Sequence, residues 1–398
     1  MTVRVNKSSF NIREKLSELE RPIGLKGSEL MRAETAQEAR DFVSAGRKNL
    51  IINGDMRIDQ RNNGATLTTP NVDLAVDRWK CATYVTGTTI QRSTTAPPGF
   101  THSYLMTNGT AVAPYASTYY QQIWHTIEGS NTSQLAWGTS NAKPISISFW
   151  VRSSVPGLYS FGLGNGTSPD STNNTRSFCQ TFTIDSTNTW EYKTFNIPGC
   201  PSGTWNTDSS YGITIAFNLG SGTAYDTNSP GLWSSSSTYM HTSTSSTIEF
   251  NNITGATFYL TGVQLEVGKN ATEFEHRSFG EEFALCQRYF QKIGNINFHT
   301  WSHDIADTSG MRLSPWSWPG GPMRVSPTLS FDDGNGNSNR FNVRDSDEAN
   351  GSTNVAYSIS KNEYGILTGF KYPYAVSGFT KGQSGYAAVS NLTLSAEL

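Results

Sequence analysis

Two stretches of the chain alternate apolar and polar residues with a period of two. In PISISFWVRS the apolar positions are Ile145, Ile147, Phe149 and Val151, and in GITIAFNLG they are Ile213, Ile215, Phe217 and Leu219. This pattern is typical of half-buried β-strands that pack one face on a core. Long polar segments rich in Gly, Asn, Asp and Pro separate such strands, and no helical pattern lies between them. We therefore predict a mainly β fold with a jelly-roll β-sandwich of two antiparallel sheets.

The stretch TFYLTGVQLEVG alternates in the same way and predicts the last strand of the sandwich. We expect one face to carry Tyr259, Val263, Leu265 and Val267, and the other to carry Gln264 and Glu266. The period then becomes helical, with apolar residues at Phe279, Phe283, Cys286 and Phe290. Ser278 stands three residues before Glu281, which is the spacing of a capping box. The sequence thus predicts a helix over 278–293 that links two β domains.

Charge divides the chain near residue 48. Of the first 48 residues 17 are charged, against 45 of the remaining 350. Capping patterns at Asn11 and Thr35 predict two short helices in the charged segment, and helices this short need a partner that covers them. We expect four parts: a helical attachment segment over 1–47, the sandwich over 48–277, the linking helix over 278–293, and a smaller C-terminal β domain over 294–398.

Net charge and cysteine spacing exclude several classes of protein. A net charge of −2 and a pI of about 6.3 give no basic surface for nucleic acid. No apolar run approaches the roughly 20 residues of a membrane span, and MTVRVNKSSF lacks the apolar core of a secretory signal. Cys81, Cys179, Cys200 and Cys286 form no CxxC pair, so we expect buried free thiols rather than a zinc site or a disulfide framework.

Several sequence landmarks resemble those of bacteriophage and prophage tail-fibre and related virion proteins. They are NLIINGDMRIDQRNNG (49–64), DRW (77–79), TGVQLEVGKNATEFEHRSFGEEFALCQRYF (261–290), PMRVSPTLSF (322–331) and the final LSAEL. The N-terminal FNIREKLSELERP and ETAQEARDFVSAGRKN are similar to the heads of fibre-like proteins of cyanobacterial phages. The resemblance implies a jelly roll similar to carbohydrate-binding modules, carried on a virion and commonly trimeric.

The function implied is that of a phage virion structural protein, a tail fibre or adhesin. It would attach to other tail or capsid proteins through its N-terminus, form a homotrimer, and bind a host-surface polysaccharide. One alternative is a capsid-bound decoration fibre, and another is a polysaccharide-cleaving tail protein. We expect no enzyme, because the sequence has no GxSxG, HExxH or P-loop motif and no carboxylate pair that its context sets apart.

Candidate glycan-binding residues are aromatic residues in polar, turn-rich segments, since sugars stack their apolar faces on aromatic rings. The first candidates are Trp316 and Trp318, two residues apart in SPWSWPGGPM, and the others are Trp301, Trp205, Trp233 and Tyr225. In contrast, Trp79, Trp150 and Trp190 lie on strand-like segments and are expected in the core or on a sheet surface.

No cofactor is expected, apart from a structural calcium ion. Sandwich modules often bind calcium near their first strand, which makes Asn53 and Asp55 the candidate ligands. The alternative is that these two residues cap an ordinary turn.

Overall fold

The computed structural model describes residues 48–68, 71–112, 116–166, 175–225, 230–235, 250–301, 322–332, 338, 340–345, 350–354, 358–361, 367–371 and 384–398. The two helices expected in residues 1–47 lie outside this range. Among the described residues no helix is long and apolar enough to cross a membrane.

Two antiparallel sheets make up the first and larger part of the described chain. One sheet has the strand order β1-β4-β5-β13-β7-β10, and the other has the order β12-β9-β8-β11-β6-β3-β2. The strands of the six-stranded sheet are β1 Leu67–Thr68, β4 Thr89–Ser93, β5 Ser103–Thr107, β7 Ile145–Ser153, β10 Glu191–Ile197 and β13 Thr257–Val267. The strands of the seven-stranded sheet are β2 Asn71–Val76, β3 Trp79–Thr83, β6 Tyr120–Glu128, β8 Gly157–Gly164, β9 Ser177–Ile184, β11 Tyr211–Ser221 and β12 Trp233–Ser234. From β6 to β13 the chain crosses repeatedly between the sheets, as in a jelly roll.

The core lies between the two sheets and contains the residues that the alternation predicted. All four apolar residues of β7 and all four of β11 are fully buried. Aromatic rings from both sheets meet there: the ring centroid of Phe149 lies 5.0 Å from that of Phe217 and 5.8 Å from that of Phe161, each pair edge to face. Each fully buried side chain of this size stabilises the fold by about 1.5–3 kcal/mol. The predicted sandwich is thus confirmed, and so is the prediction that the four cysteines are buried thiols outside any disulfide.

Strand β13 departs from the expected alternation at one point. A register shift between Thr261 and Gln264 marks a β-bulge, where Gly262 has a φ of +61°. Before the bulge Leu260 faces the core and Tyr259 faces outward, whereas after it Val263 returns to the core. The prediction that Tyr259 shares a face with Val263 was therefore wrong, because the extra residue of a bulge reverses the phase of the strand.

Helix α1, Phe279–Gln287, follows the sandwich and begins with the predicted cap. The Ser278 Oγ accepts a hydrogen bond from the Glu281 amide at 3.3 Å, and the Glu281 carboxylate accepts one from the Ser278 amide at 3.2 Å. The helix is shorter than the 278–293 expected, because strand β14 already begins at Phe290. Its buried face carries Glu282 and Cys286, and Phe279 is exposed.

A smaller set of strands follows the helix, as predicted. Its larger sheet has the order β14-β20-β16-β17, with β15 also pairing with β20, and β18 pairs with β19. The strands are β14 Phe290–Trp301, β15 Thr328–Asp332, β16 Arg340–Asp345, β17 Asn350–Asn354, β18 Ser358–Lys361, β19 Leu367–Lys371 and β20 Ser384–Ser395.

A buried polar network ties the segment before β1 to β13 and to the helix. The Asn49 Oδ1 accepts hydrogen bonds from the Ile51 and Leu265 amides, at 3.0 and 3.1 Å. The Arg277 guanidinium donates to the Asn49 and Ile51 carbonyls and lies 3.4 Å from a carboxylate oxygen of Glu282. Burial raises the pKa of Glu282, and the charge of Arg277 opposes that rise. The network therefore holds a short irregular segment against β13 and the helix.

A second network joins the sandwich to the C-terminal strands. The Glu128 carboxylate accepts from the Arg288 Nη2 at 2.7 Å and from the Tyr289 hydroxyl at 2.9 Å. Hydrogen bonds from Arg288 and from nearby hydroxyls hold the pKa of Glu128 below its usual value, although burial opposes this. The Arg78 guanidinium stacks 3.5 Å from the centroid of the Tyr289 ring and pairs with the Glu397 carboxylate. Ion pairs and a cation–π contact of this kind fix one surface against the other.

We refer to these two networks together as the joint. It consists of Asn49, Arg78, Glu128, Arg277, Glu282, Arg288, Tyr289 and Glu397. Of the five sequence landmarks between residues 49 and 398, all except PMRVSPTLSF contribute at least one of these residues.

Replacing the helix cap should weaken the joint. We expect Ser278→Ala to lower the free energy of unfolding by about 1 kcal/mol, since the Glu281 amide loses its acceptor. Limited proteolysis between 278 and 294 should become faster. Ser140→Ala, at an exposed serine with no capping role, is the control. Equal cleavage rates in the two variants would show that the cap does not stabilise this region.

Acid should destabilise the sandwich through His125. This side chain is fully buried in β6 with its ring centroid 5.2 Å from that of Trp79, and burial, reinforced by Arg78, lowers its pKa well below the ordinary value. The unfolded chain binds a proton near pH 6.5 that the folded chain does not, so stability present above that pH is lost as the pH falls below it.

We therefore expect the melting temperature to drop between pH 7.5 and 5.5, and to drop less in His125→Gln. Asp77 and Glu282 act in the opposite sense, because burial raises their pKa. A comparison of the two slopes isolates the histidine, and equal slopes would contradict its role.

Candidate functional site

Aromatic rings cover part of the outer face of the six-stranded sheet. Trp150 of β7 and Tyr192 of β10 are register partners whose ring centroids lie 5.2 Å apart. Beside them Trp190 meets Tyr259 of β13 with centroids 6.0 Å apart. Tyr192 is 44% exposed, and the other three are half-buried. We call these four residues, together with Phe100, Phe274 and Arg152, the aromatic band.

Strand phase and the β-bulge place these rings outside the core. Because Phe149 and Val151 point inward, their neighbours Trp150 and Arg152 point outward. At the bulge, a Cβ on Gly262 would lie 2.7 Å from the Phe100 ring and 3.0 Å from the Trp150 ring. Only glycine therefore lets both rings lie close over the backbone. The Phe100 ring in turn packs edge to face with that of Phe274, with centroids 5.1 Å apart, which extends the band across the sheet.

Polar groups accompany the rings on the same face. Thr194 and Asn196 follow Tyr192 along β10 at the outward positions, and both are exposed. Arg152 contributes a positive charge: its Nε donates to the Asn188 carbonyl at 2.8 Å, and its guanidinium carbon lies 5.0 Å from the centroid of the Tyr259 ring. Flat apolar surfaces next to hydroxyl, amide and guanidinium groups can stack on and hydrogen-bond a ligand, and none of these side chains is a strong nucleophile.

Trp205 and Trp233, two of the predicted glycan-binding residues, pack against each other. Trp205 and Trp233 are half-buried and meet the buried Trp137 edge to face, with ring centroids 4.7 and 5.1 Å from it. All three indole N–H groups donate to backbone carbonyls, those of Ser202, Pro198 and Lys143. These contacts pin the loops at one end of the sandwich. A role for Trp205 and Trp233 in glycan binding stays a prediction.

Tyr225 lies at the other sheet. Its ring packs edge to face on that of Tyr120, with centroids 5.5 Å apart, beside Trp124 and Ala216 on the outer face of the seven-stranded sheet. Trp124 is 4% exposed and Ala216 is fully buried, so the strand residues beside Tyr225 are covered. Tyr225 is thus separated from the band by the thickness of the sandwich.

The structure leaves the C-terminal candidates undecided. Trp301 is the last residue of β14, while Trp316 and Trp318 lie outside the described residues. Their proposed platform stays a prediction.

The candidate calcium ligands have partners within the protein. The Asn53 Nδ2 donates to the backbone carbonyls of Ile58 and Asp77, at 2.8 and 2.9 Å. The Asn53 Oδ1 accepts from the backbone amide of Ile58 at 3.0 Å. Asp55 forms an ion pair with Arg57. In the part of the chain that the structure describes, no three His, Cys, Asp or Glu side chains are grouped as a metal site would need. These contacts are those of a capped turn, and calcium binding stays a prediction.

The band consists mainly of residues that sequence reasoning did not select. Trp79, Trp150 and Trp190 were expected in the core or on a sheet surface, and the structure confirms this. Trp79 is fully buried in the core, while Trp150 and Trp190 lie on the sheet surface. One signal was available: Trp150 occupies a polar phase of an otherwise regular alternation. An aromatic residue at such a position needs a partner other than the core.

Comparison with known proteins gives weak similarities only. No family model and no curated protein sequence matches the chain. Among solved structures, the enzymatically active domain of bacteriophage CBA120 tailspike protein 4 has 12% identity and a TM-score of 0.31, covering 55% of this chain and 21% of that one. A family 11 carbohydrate-binding module from Clostridium thermocellum, in complex with a mixed-linked tetrasaccharide, has 12% identity and a TM-score of 0.26, covering 52% and 97%. The chain thus spans about a fifth of the tailspike chain, and similarities at this level do not assign a function.

Substitution of Gly262 should disturb the band. Gly262→Ala forces a non-glycine residue into the left-handed region, which costs about 1–2 kcal/mol, and it also pushes the Cβ into the rings of Phe100 and Trp150. Gly255→Ala is a matched control, because Gly255 has a φ of +77° but no atom within 4 Å of its Cβ position.

We expect Gly262→Ala to lose more stability than Gly255→Ala in denaturant unfolding and to shift the tryptophan fluorescence. Equal losses and an unchanged spectrum would show that the rings do not lie over Gly262.

Proposed function

We propose that the protein is a glycan-binding structural component of a phage virion and that the aromatic band contacts the sugar. The observation that carries this proposal is that these rings lie together on the outer face of the six-stranded sheet, with Tyr192 exposed and the others half-buried. Contiguous exposed apolar surface on a folded chain commonly marks a binding site. Here the rings lie among hydroxyl, amide and guanidinium groups, which is the combination that sugar rings require.

The energetics favour a weak site used many times. A stacked aromatic pair contributes about 0.5–1.5 kcal/mol beyond the burial of its area, so a few rings give modest affinity for one sugar segment. In a homotrimer three bands would bind one polysaccharide, and avidity would raise the overall affinity without new contacts. The trimer and the attachment of residues 1–47 to a tail belong to the proposal, with a capsid-bound fibre as the alternative location.

The buried carboxylates support a binding protein rather than an enzyme. Those of the joint pair with arginines: Glu128 with Arg288, and Glu282 with Arg277. Glycoside hydrolysis needs two carboxyl groups facing each other across a sugar site, and these carboxyl groups hold the fold together instead. A polysaccharide-cleaving protein remains the second candidate. A turnover assay on host polysaccharide decides between the two, because an adhesin releases no reducing ends.

Removing two rings of the band should weaken adsorption while preserving the fold. We expect the double variant Trp150→Ala, Tyr192→Ala to bind host cells or their polysaccharide at least tenfold more weakly. It should still unfold cooperatively, since neither ring is in the core. Tyr84→Ala is the matched control, because Tyr84 is also 44% exposed but lies beyond β3 of the seven-stranded sheet.

Light scattering on the same variants distinguishes a glycan site from a contact between copies. If the double variant dissociates a trimer, the band is a subunit interface. If it binds the polysaccharide as well as the wild type does, the proposed site is wrong.

A further inference from the structure

We propose that the aromatic band is selective for carboxylate-bearing sugars, and that Arg152 recognises the carboxylate. This inference rests on the proposed function and adds a substrate class to it. It concerns Arg152, the charged residue of the band. A general role in glycan binding does not explain why this side chain is held in place while its terminal nitrogens have no partner.

The Arg152 side chain is held from two sides. Its Nε donates to the Asn188 carbonyl at 2.8 Å, and that carbonyl is itself fixed, because Asn188 adopts a φ of +55° and its amide donates to the Ser153 carbonyl at 2.7 Å. Its guanidinium carbon lies 5.0 Å from the centroid of the Tyr259 ring. An arginine that is already ordered loses less side-chain entropy when a ligand binds.

The terminal nitrogens of Arg152 are not used within the described chain. No acceptor there lies within hydrogen-bond distance of either Nη atom, and no carboxylate forms an ion pair with this guanidinium. The two Nη groups of a guanidinium present parallel donors that match the two oxygens of a carboxylate. The geometry therefore leaves a ready donor pair next to the stacking surface.

The two acidic side chains in the strands of this sheet are bound elsewhere. Glu266, at an outward position of β13, is buried and accepts from the Thr272 amide and hydroxyl, both at 2.7 Å. Glu191, in β10, lies 2.7 Å from the Nζ of Lys193. Arg152, which is half-buried, thus has no counter-ion among the described residues. A uronic or similar acidic sugar would supply one while its ring stacks on an adjacent aromatic side chain.

Polymers that differ only in charge test the proposal. Polygalacturonate, polysialate and hyaluronate are each immobilised beside the same polymer with its carboxyl groups methyl-esterified, and binding of the full chain is measured at low and at physiological salt. We expect at least one acidic polymer to bind about tenfold more tightly than its ester. Arg152→Gln should remove that preference, and Arg152→Lys should restore only part of it, because an ammonium group cannot bind both oxygens in a fork.

Lys143→Gln removes one exposed positive charge away from the band and should behave as the wild type. A wild type without preference for any acidic polymer overturns the proposal, and so does an Arg152→Gln variant that keeps the preference. Tighter binding to sulfated polymers in the same assay would also contradict it, because the proposal assigns a carboxylate as the group that Arg152 recognises. If the esters bind as tightly as the acidic polymers, and the Trp150→Ala, Tyr192→Ala variant loses this binding, the glycan-binding function stands and only the acidic selectivity is refuted. If Arg152→Gln melts at a lower temperature than the wild type, its preference for the acidic polymer is compared with that of Arg152→Lys at temperatures where both variants are equally folded. A preference that is equal in the two variants would then overturn the proposal.

Discussion

The β-bulge at Gly262 determines what the outer face of the six-stranded sheet presents to solvent. It reverses the phase of β13, so that Tyr259 faces outward while Val263 and Leu265 complete the core. It also brings a residue without a Cβ beneath the rings of Phe100 and Trp150. Bulges commonly re-aim side chains near functional sites. Here a single inserted residue lets the same strand face the apolar core on one side and support the aromatic band on the other.

The joint gives that surface a rigid setting. Arg277 and Glu282 fix the segment before β1 against β13, and Arg78 and Glu128 hold the C-terminal strands. Desolvation offsets much of the attraction within buried ion pairs, so we expect these pairs to select one arrangement of the two β units more than to add stability. The landmarks NLIINGD, DRW, FEHR and LCQRYF are far apart in the sequence, and their residues meet in the joint. They maintain one geometry between two β units.

Local patterns predicted the fold well, and long-range contacts limited the prediction of the site. The alternation in β7 and β11 and the capping box at Ser278 are encoded within a few residues, so both were found. The bulge was missed because the sequence TGVQ alternates plausibly without it. The helical period predicts a helix as far as 293 because Phe290 continues that period, whereas in the structure Phe290 is the first residue of β14. Loop tryptophans were selected for their polar neighbours, and those neighbours do not reveal that Trp205 and Trp233 pack on Trp137.

Oxidative footprinting with and without host polysaccharide tests the central claim most directly, because it locates the ligand on the unmodified protein. Hydroxyl radicals label exposed aromatic side chains, and mass spectrometry assigns each label to a residue. The structure predicts that polysaccharide protects Trp150, Trp190 and Tyr192, while labelling of Tyr84 and Trp205 stays the same. Protection confined to Trp205 and Trp233, or to Tyr84 and Tyr225, would contradict the assignment of the aromatic band as the glycan-binding face.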